Sequence, residues 1–316
     1  MKIFITGAGG FVGTYLIRQL QKKADNEIYG AVYKSTSDIS SLLPNDHILE
    51  GDLTDFAVAE SHLQTVQPDI IYHLAALSVV GNSFANAIKV INTNTNLSFN
   101  LFEAARLIVP KARIINICSA NVYGAVLDSS RPLTESTPFR PLNPYSVSKI
   151  NQEMLGLEYH LTYGSDVIAL RPFNHTGIGQ TTDFLIPRLA QQFAAIEKGQ
   201  LAPTIEIGNL DSIRDFSDVR DMVRAYVLAA ESCLAGEAYN IGSGKGYKVS
   251  QVIDIFQSLS QAKVEIKVKK DLVRSADVPA LVADFTKFKE ATGYFPVISL
   301  ERTISDILDF YRQQKG

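Results

Sequence analysis

The first thirteen residues, Met1-Lys-Ile-Phe-Ile-Thr6-Gly7-Ala-Gly9-Gly10-Phe11-Val-Gly13, constrain the fold more than any other stretch of the chain. Ile3, Phe4 and Ile5 form a continuous apolar run of the kind buried on both faces of a parallel sheet. From Phe11 onward Val12, Tyr15, Leu16 and Leu20 recur at helical spacing. In such a strand-turn-helix Gly7 makes the tight turn, Gly10 lets the backbone approach a pyrophosphate, and Gly13 lets helix and strand pack closely. The helix N-terminus, at Phe11 and Val12, then presents unpaired N–H groups and a favourable dipole to the phosphates. The spacing is G-x-x-G-x-x-G; the stricter G-x-G-x-x-G starts on Gly7 and Gly9 but ends on Val12.

The same alternation continues through the first half. Strands are expected at Glu27–Tyr33, Asp69–Leu74, Arg113–Cys118 and Asp166–Arg171, with helices at Asp55–Val66, Phe84–Ile108 and Tyr145–Tyr163. Strands alternating with crossover helices predict an α/β fold, a doubly wound parallel sheet of the Rossmann kind, whose ligands bind beyond the carboxyl ends of the strands. After Pro172 loops rich in Gly, Asn and Pro separate helices at Asp183–Lys198, Asp218–Glu231, Val249–Leu259 and Leu300–Tyr311, and Glu237–Ile241 reads as a strand returning to the sheet. This rhythm predicts a dinucleotide-binding domain over residues 1–171, with 216–241 returning to it, and a smaller α/β substrate-binding domain from 172–215 and 242–316. The cleft between the two is the natural site.

Composition narrows the function classes. A net charge of −3 with mixed signs gives no electrostatic argument for nucleic acid or a membrane surface, so any anionic ligand must be held by local charges. No apolar run approaches a membrane span and Met1–Ile5 already reads as a strand, which makes cytoplasm the expected compartment. The cysteines, Cys118 and Cys233, are too few for a disulfide framework. No histidine pair has metal-ligand spacing, so no metal is expected.

Tyr145-Ser-Val-Ser-Lys149 places a tyrosine and a lysine one helical turn apart on the same face. A nearby ammonium is expected to favour the phenolate and lower the tyrosine pKa towards useful acid–base strength. Ser119, at the end of the strand before, lies where a doubly wound fold collects its reacting groups.

Thr6-Gly7-Ala-Gly-Gly10-Phe-Val-Gly13, His73-Leu-Ala75-Ala76, Cys118-Ser119-Ala-Asn-Val122-Tyr123-Gly124, Tyr145-Ser-Val-Ser-Lys149 and Arg171-Pro-Phe-Asn174-His175, in that order, resemble the extended short-chain dehydrogenase/reductase family. The resemblance implies Tyr145 as proton donor or acceptor, Lys149 on the nicotinamide ribose and beside Tyr145, and Ser119 on the substrate oxygen. It further implies cofactor contacts from Gly7, Gly10, Phe11, Val12, Gly13, Ala75, Ala76 and Asn94, and an adenine contact at Asp52-Leu53, for which a helix N-cap is the alternative. Leu97, where relatives often have glycine, is a departure. An acid at the end of the second strand would hold a ribose 2′-hydroxyl and repel a 2′-phosphate. The residues there are Val32, Tyr33, Lys34 and Ser35, so NADP is expected through Lys34, with NAD the alternative.

The motifs Arg171-Pro-Phe-Asn174-His175-Thr-Gly-Ile-Gly179-Gln180, Ile207 to Asp221 and Arg274-Ser-Ala-Asp277-Val-Pro279 are similar to the GDP-mannose 4,6-dehydratase and GDP-4-keto-6-deoxy-mannose reductase branch. The resemblance implies nucleotide-sugar contacts from Asn121, Asn174, Arg188, Arg214 and Arg274, with Asp277 on a ribose hydroxyl. Guanidinium forks match phosphate oxygens in pairs, as a diphosphate in a near-neutral protein requires. Dehydratases of this branch carry a glutamate two positions after the Ser/Thr, to remove the C5 proton. Ala120 and Asn121 follow Ser119 here, and an amide is no general base. The expected activity is therefore NADPH-dependent reduction of a nucleotide-linked 4-keto-6-deoxyhexose, most simply GDP-4-keto-6-deoxy-D-mannose to GDP-D-rhamnose. The alternatives are GDP-mannose dehydration, a 4-epimerase with tightly held NAD, and an NADP-binding regulator without turnover. The family often pairs through a four-helix bundle, which Phe84–Ile108 and Tyr145–Tyr163 would supply in a homodimer.

Overall fold

Ile3, Phe4, Ile5 and Thr6 have almost no exposed surface, because the strand they form lies inside a wide sheet. The computed structural model describes residues 1–34, 38–78, 83–128, 130–269, 271 and 278–314. In chain order the first half comprises β1 (Lys2–Thr6), α1 (Phe11–Leu20), β2 (Glu27–Val32), β3 (Ile48–Glu50), α2 (Phe56–Val66), β4 (Ile70–His73), α3 (Ala87–Ile108), β5 (Arg113–Ile117), α4 (Pro144–Tyr163) and β6 (Val167–Pro172). The second half comprises β7 (Asn174–Thr176), α5 (Leu185–Glu197), β8 (Thr204–Ile207), β9 (Ile213–Asp218), α6 (Val219–Ser232), β10 (Ala238–Ile241), β11 (Gly246–Lys248), α7 (Val249–Leu259), β12 (Glu265–Val268), β13 (Ala280–Leu281), α8 (Thr286–Thr292) and α9 (Leu300–Gln313).

Seven parallel strands form the main sheet in the order β10-β6-β5-β4-β1-β2-β3. This is the expected doubly wound architecture, and the strand near Glu237 does return to it at the β6 edge. β3 escaped the sequence reading: it is three residues long and only half-buried, so it carries no apolar run. One face of the sheet packs on α1 and α6 through Leu16, Ile17, Val223 and Tyr226; the other packs on α2 and α3 through Leu63, Leu101 and Phe102.

The second half adds a four-stranded sheet built on β9 and a two-stranded pair, β8 with β12. Their core lies among α5, α7 and α9, where Phe193 and Phe256 stack at 5.2 Å. β9 was not legible because Asp215, Ser217 and Asp218 interrupt it, yet all three are buried. Asp215 explains how. Its carboxylate accepts from Ser243 N and Oγ, Gly244 N and Ala283 N, so local donors replace water. Phe288 and Tyr294, late in the chain, pack into the core of the main sheet.

Helix ends follow local chemistry. Asn143 caps α4 by accepting from Ser146 N at 2.8 Å, Pro144 occupies the first turn, and Gly164 closes it at φ +71°. No described helix is long and apolar enough to cross a membrane.

Candidate active site

At the end of β1 the chain turns on Gly7, with φ +70°, and a Cβ there would lie 2.9 Å from the Ala75 nitrogen. A Cβ on Gly13 would lie 2.5 Å from the carbonyl oxygens of Gly7 and Ala8. Gly10 is different: it is exposed and begins α1 with no side-chain cap, and no acid stands in the first turn. The N–H groups of Phe11 and Val12, both half-buried, therefore have no helical acceptor and can take an anion, as a dinucleotide pyrophosphate requires. Ala75 N donates to Thr6 Oγ1 at 3.1 Å, which ties the β4 turn to the β1 turn. Below them His73 is fully buried between Thr6 Oγ1 (2.9 Å) and Ser98 Oγ (3.0 Å). Burial, with the Lys149 charge second, lowers its pKa to about 3 and keeps it neutral.

The other expected cofactor residues divide by exposure. Lys34, at φ +46°, is exposed at the end of β2 with its ammonium 4.9 Å from the centre of the Tyr33 ring. Asp52 does not cap a helix, since Asp55 caps α2; it accepts from Thr54 N and Oγ1 at 3.0 and 2.7 Å. Asp52 also meets the Tyr33 hydroxyl and the Lys34 charge, which bring the ends of β2 and β3 together. Leu53 is buried in the core, its carbonyl accepting from Asn100 Nδ2 at 3.1 Å. Ala76 is half-buried beside Ala75. Asn94 is buried and spends its amide inside the protein, accepting from Leu77 N (2.8 Å) and donating to Ser148 Oγ (2.9 Å). It fastens the loop after β4 to α4.

Ser119, Tyr145 and Lys149 come together at the end of β5. Tyr145 and Ser119 share a hydrogen bond, and the Lys149 Nζ lies 5.9 Å from the Tyr145 ring centre. Ser119 starts a short 3-10 turn, so its Oγ accepts from Asn121 N and from Asn121 Nδ2, both at 3.2 Å. The ammonium of Lys149 donates to Ile117 O and to Gln152 Oε1, both at 2.8 Å. Burial lowers the Lys149 pKa to about 8. Burial also raises Tyr145 to about 12, against the Ser119 hydrogen bond that lowers it. The expected lowering of Tyr145 by Lys149 is thus absent: desolvation dominates and the ammonium is turned onto neutral acceptors. At neutral pH Tyr145 is a phenol with a proton to give.

Asn174 is exposed on β7, in register with Phe216 and so close to Arg214 on β9. Arg214 is half-buried and donates through Nη1 to Ile213 O (2.8 Å) and Val278 O (2.7 Å). Arg188 is exposed in the first turn of α5. Arg274 and Asp277 lie outside the described residues, as does Ser35. Sequence reasoning missed Gln152 and Asn116, two buried amides behind Lys149; the position of Gln152, one turn beyond Lys149, was the available signal.

The sequence model of the GDP-mannose 4,6 dehydratase family matches residues 4–307. The chain is 34% identical over 294 residues to GDP-6-deoxy-D-talose 4-dehydrogenase from Aggregatibacter actinomycetemcomitans, covering 93% of this chain and 92% of that one. It is 31% identical over 310 residues to GDP-6-deoxy-D-mannose reductase from Pseudomonas aeruginosa, covering 97% and 96%. Among solved structures it resembles RMD from Pseudomonas aeruginosa complexed with NADPH, with a TM-score of 0.86, 29% identity and 98% of each chain covered. It also resembles UDP-glucose 4-epimerase with UDP-glucose from Thermotoga maritima, with a TM-score of 0.89, 26% identity and 99% of each chain covered. Because the family match runs through both the glycine turn and the tyrosine–lysine helix, the chain belongs to the GDP-mannose 4,6-dehydratase family, within the NAD(P)-dependent nucleotide-sugar enzymes of the extended short-chain dehydrogenase/reductase class.

Proposed function

We propose that this enzyme reduces the 4-keto group of GDP-4-keto-6-deoxy-D-mannose with NADPH, giving GDP-D-rhamnose. The observation that carries the reading is the amide of Asn121 on Ser119 Oγ, at the position where dehydratases of the branch hold a glutamate. No carboxylate stands there to take a C5 proton, whereas reduction needs only a proton donor and an oxygen-binding hydroxyl.

When bound, NADPH supplies the hydride for C4. Tyr145, kept protonated by burial, gives its proton to the developing alkoxide. Ser119 accepts two hydrogen bonds from Asn121, so its own proton, given to Tyr145 in the free protein, is the one that turns to that oxygen. The Lys149 ammonium supports the negative charge that remains on Tyr145 and binds the ribose. Asn174, Arg188, Arg214, Arg274 and Asp277 hold the sugar nucleotide, with the arginines on the diphosphate. Lys34 and the lack of an acid from Val32 to Lys34 favour a 2′-phosphate. The relative named for GDP-6-deoxy-D-talose supports a second product, the C4 epimer, formed if the sugar ring is turned over on the nicotinamide.

The chain works as a cofactor domain, residues 1–171 with 216–241, and a sugar-nucleotide domain from the remainder. Two copies pair through α3 and α4, whose outward side chains Ile88, Phe99, Met154 and Leu161 are exposed and apolar. The test is to incubate the protein with NADPH or NADH and a panel of nucleotide-linked 4-keto-6-deoxy sugars and identify the products by NMR. A large H3–H4 coupling reports rhamnose and a small one reports 6-deoxytalose. Dehydration of GDP-mannose without oxidation of NADPH by the 4-keto sugar would overturn the reading.

A further inference from the structure

Lys149 is buried, and its ammonium has three N–H donors and no acceptor capacity. Two of the three are committed inside the protein, to Ile117 O and to Gln152 Oε1, each at 2.8 Å. The Gln152 amide cannot be the other way round. Its Oε1 must face the ammonium, and its Nε2 faces two oxygens, Asn116 Oδ1 at 2.5 Å and Ile117 O at 3.1 Å. Asn116 is fixed in turn, because its Nδ2 donates to Gln152 O at 3.1 Å. Both amides are at most 1% exposed, so no water competes for these bonds.

We propose that Gln152 is a positioning residue of the active site: held by Asn116, it fixes the Lys149 ammonium with a neutral acceptor and leaves one N–H for the cofactor ribose and Tyr145. The choice of an amide matters as much as the contact. Among the described residues the titratable groups facing Lys149 are Tyr145 on its own helix, Cys118 after β5 and His73 on β4. All three are neutral at pH 7, since burial raises Tyr145 and Cys118 and lowers His73. Glu153, the carboxylate next in sequence, is committed to Arg171 on β6, with bonds of 3.0 and 3.2 Å to Arg171 Nε. Among the described residues no anion compensates the lysine charge, which is available to a phenolate and able to titrate in the working pH range.

The inference rests on the proposed reductase reading only for what Tyr145 does; the contact with Lys149 is tested by cofactor binding alone. NADPH affinity is measured by fluorescence from pH 6 to pH 10, without sugar, for the wild type and for Gln152→Glu, Gln152→Met and Asn116→Ala, alongside thermal unfolding. The wild type should lose affinity along an alkaline limb near the Lys149 pKa of about 8. Gln152→Glu keeps an acceptor but adds an anion, so its limb should move up by about one pH unit or more. Gln152→Met keeps the volume without the acceptor, so affinity at pH 7 should fall about tenfold and the limb should move down. Asn116→Ala should shift the limb the same way by less, and it reads the effect with Gln152 still present. Folded variants with changed melting temperatures but an unmoved limb would show Gln152 to be packing only and overturn the proposal. If the limb moves as expected while no 4-keto sugar is reduced, the reductase reading fails and the positioning role stands.

Discussion

A phenol can be a proton donor only while it keeps its proton, and the surroundings of Tyr145 see to that. Burial raises its pKa to about 12, so it is neutral across the physiological range and ionises only when its proton leaves for a substrate alkoxide. Tyr145→Phe should lower kcat by roughly 10²–10⁴-fold while NADPH still binds, as measured by steady-state assay and fluorescence titration. The Lys149 pKa, lowered by burial to about 8, sets the direction of the pH response. Below it the ammonium is present and supports the phenolate; above it the charge is lost. Turnover should therefore be sustained below about pH 8 and decline as the pH rises through that value, in a kcat profile at saturating NADPH. Neither shift was visible in the spacing of Tyr145 and Lys149, which suggested the opposite sign for the tyrosine. Spacing reports which side chains are neighbours on a helix; it says nothing of how much water they lose.

Among elements, the turn from β1 into α1 is the most constrained. A methyl group on Gly13 would meet two carbonyl oxygens at 2.5 Å, both backbone, so the helix itself must move. Gly13→Ala should cost roughly 1–3 kcal/mol of stability and, by displacing the open N–H groups of α1, lose most of the NADPH affinity. Denaturant unfolding and fluorescence titration check the two effects separately. The contact between β6 and α4 makes a second prediction. Arg171 is paired with Glu153, both side chains at most 6% exposed, and also donates to Tyr123 OH at 2.8 Å. Arg171→Met leaves a buried carboxylate alone, at a cost of about 3–5 kcal/mol. Urea unfolding of the variant and the wild type at pH 7.5 checks the loss.

For the whole molecule, the main sheet and the assembly around β9 are joined by polar groups, Asp215 above all, where the sequence suggested two domains meeting at a cleft. Side-chain contacts link them too: the Phe11 ring of α1 stacks on His175 of β7 at 6.4 Å, and Tyr15 OH donates to Ile178 O at 2.9 Å. On the outer side of α3 and α4 the exposure runs the other way, with Ile88 79% and Leu161 73% exposed. Apolar residues this exposed on neighbouring helices fit a partner surface. Phe99→Glu combined with Leu161→Glu should convert the proposed homodimer into a monomer in sedimentation velocity, with the melting temperature of the monomer little changed.

What the sequence by itself determined was everything carried by near neighbours in the chain. The order of strands and helices, the glycine turn and the tyrosine–lysine pair all follow from periodicities of two to four residues, and the structure returns them within a few residues of the expected bounds. The short strands β3, β7, β8 and β11 to β13, the polar strand β9 and the short helix α8 were not read from the sequence; the pairing of such strands is decided by distant partners rather than by an apolar pattern of their own. Only the tertiary structure decided that Asn121 turns its amide onto Ser119, that Asn94 spends its amide on Leu77 and Ser148, and that Lys149 rests on Gln152 and Ile117. The physical reason is desolvation: once these groups are closed off from water, each must find its hydrogen bonds inside the protein, and those bonds set protonation and direction at the site.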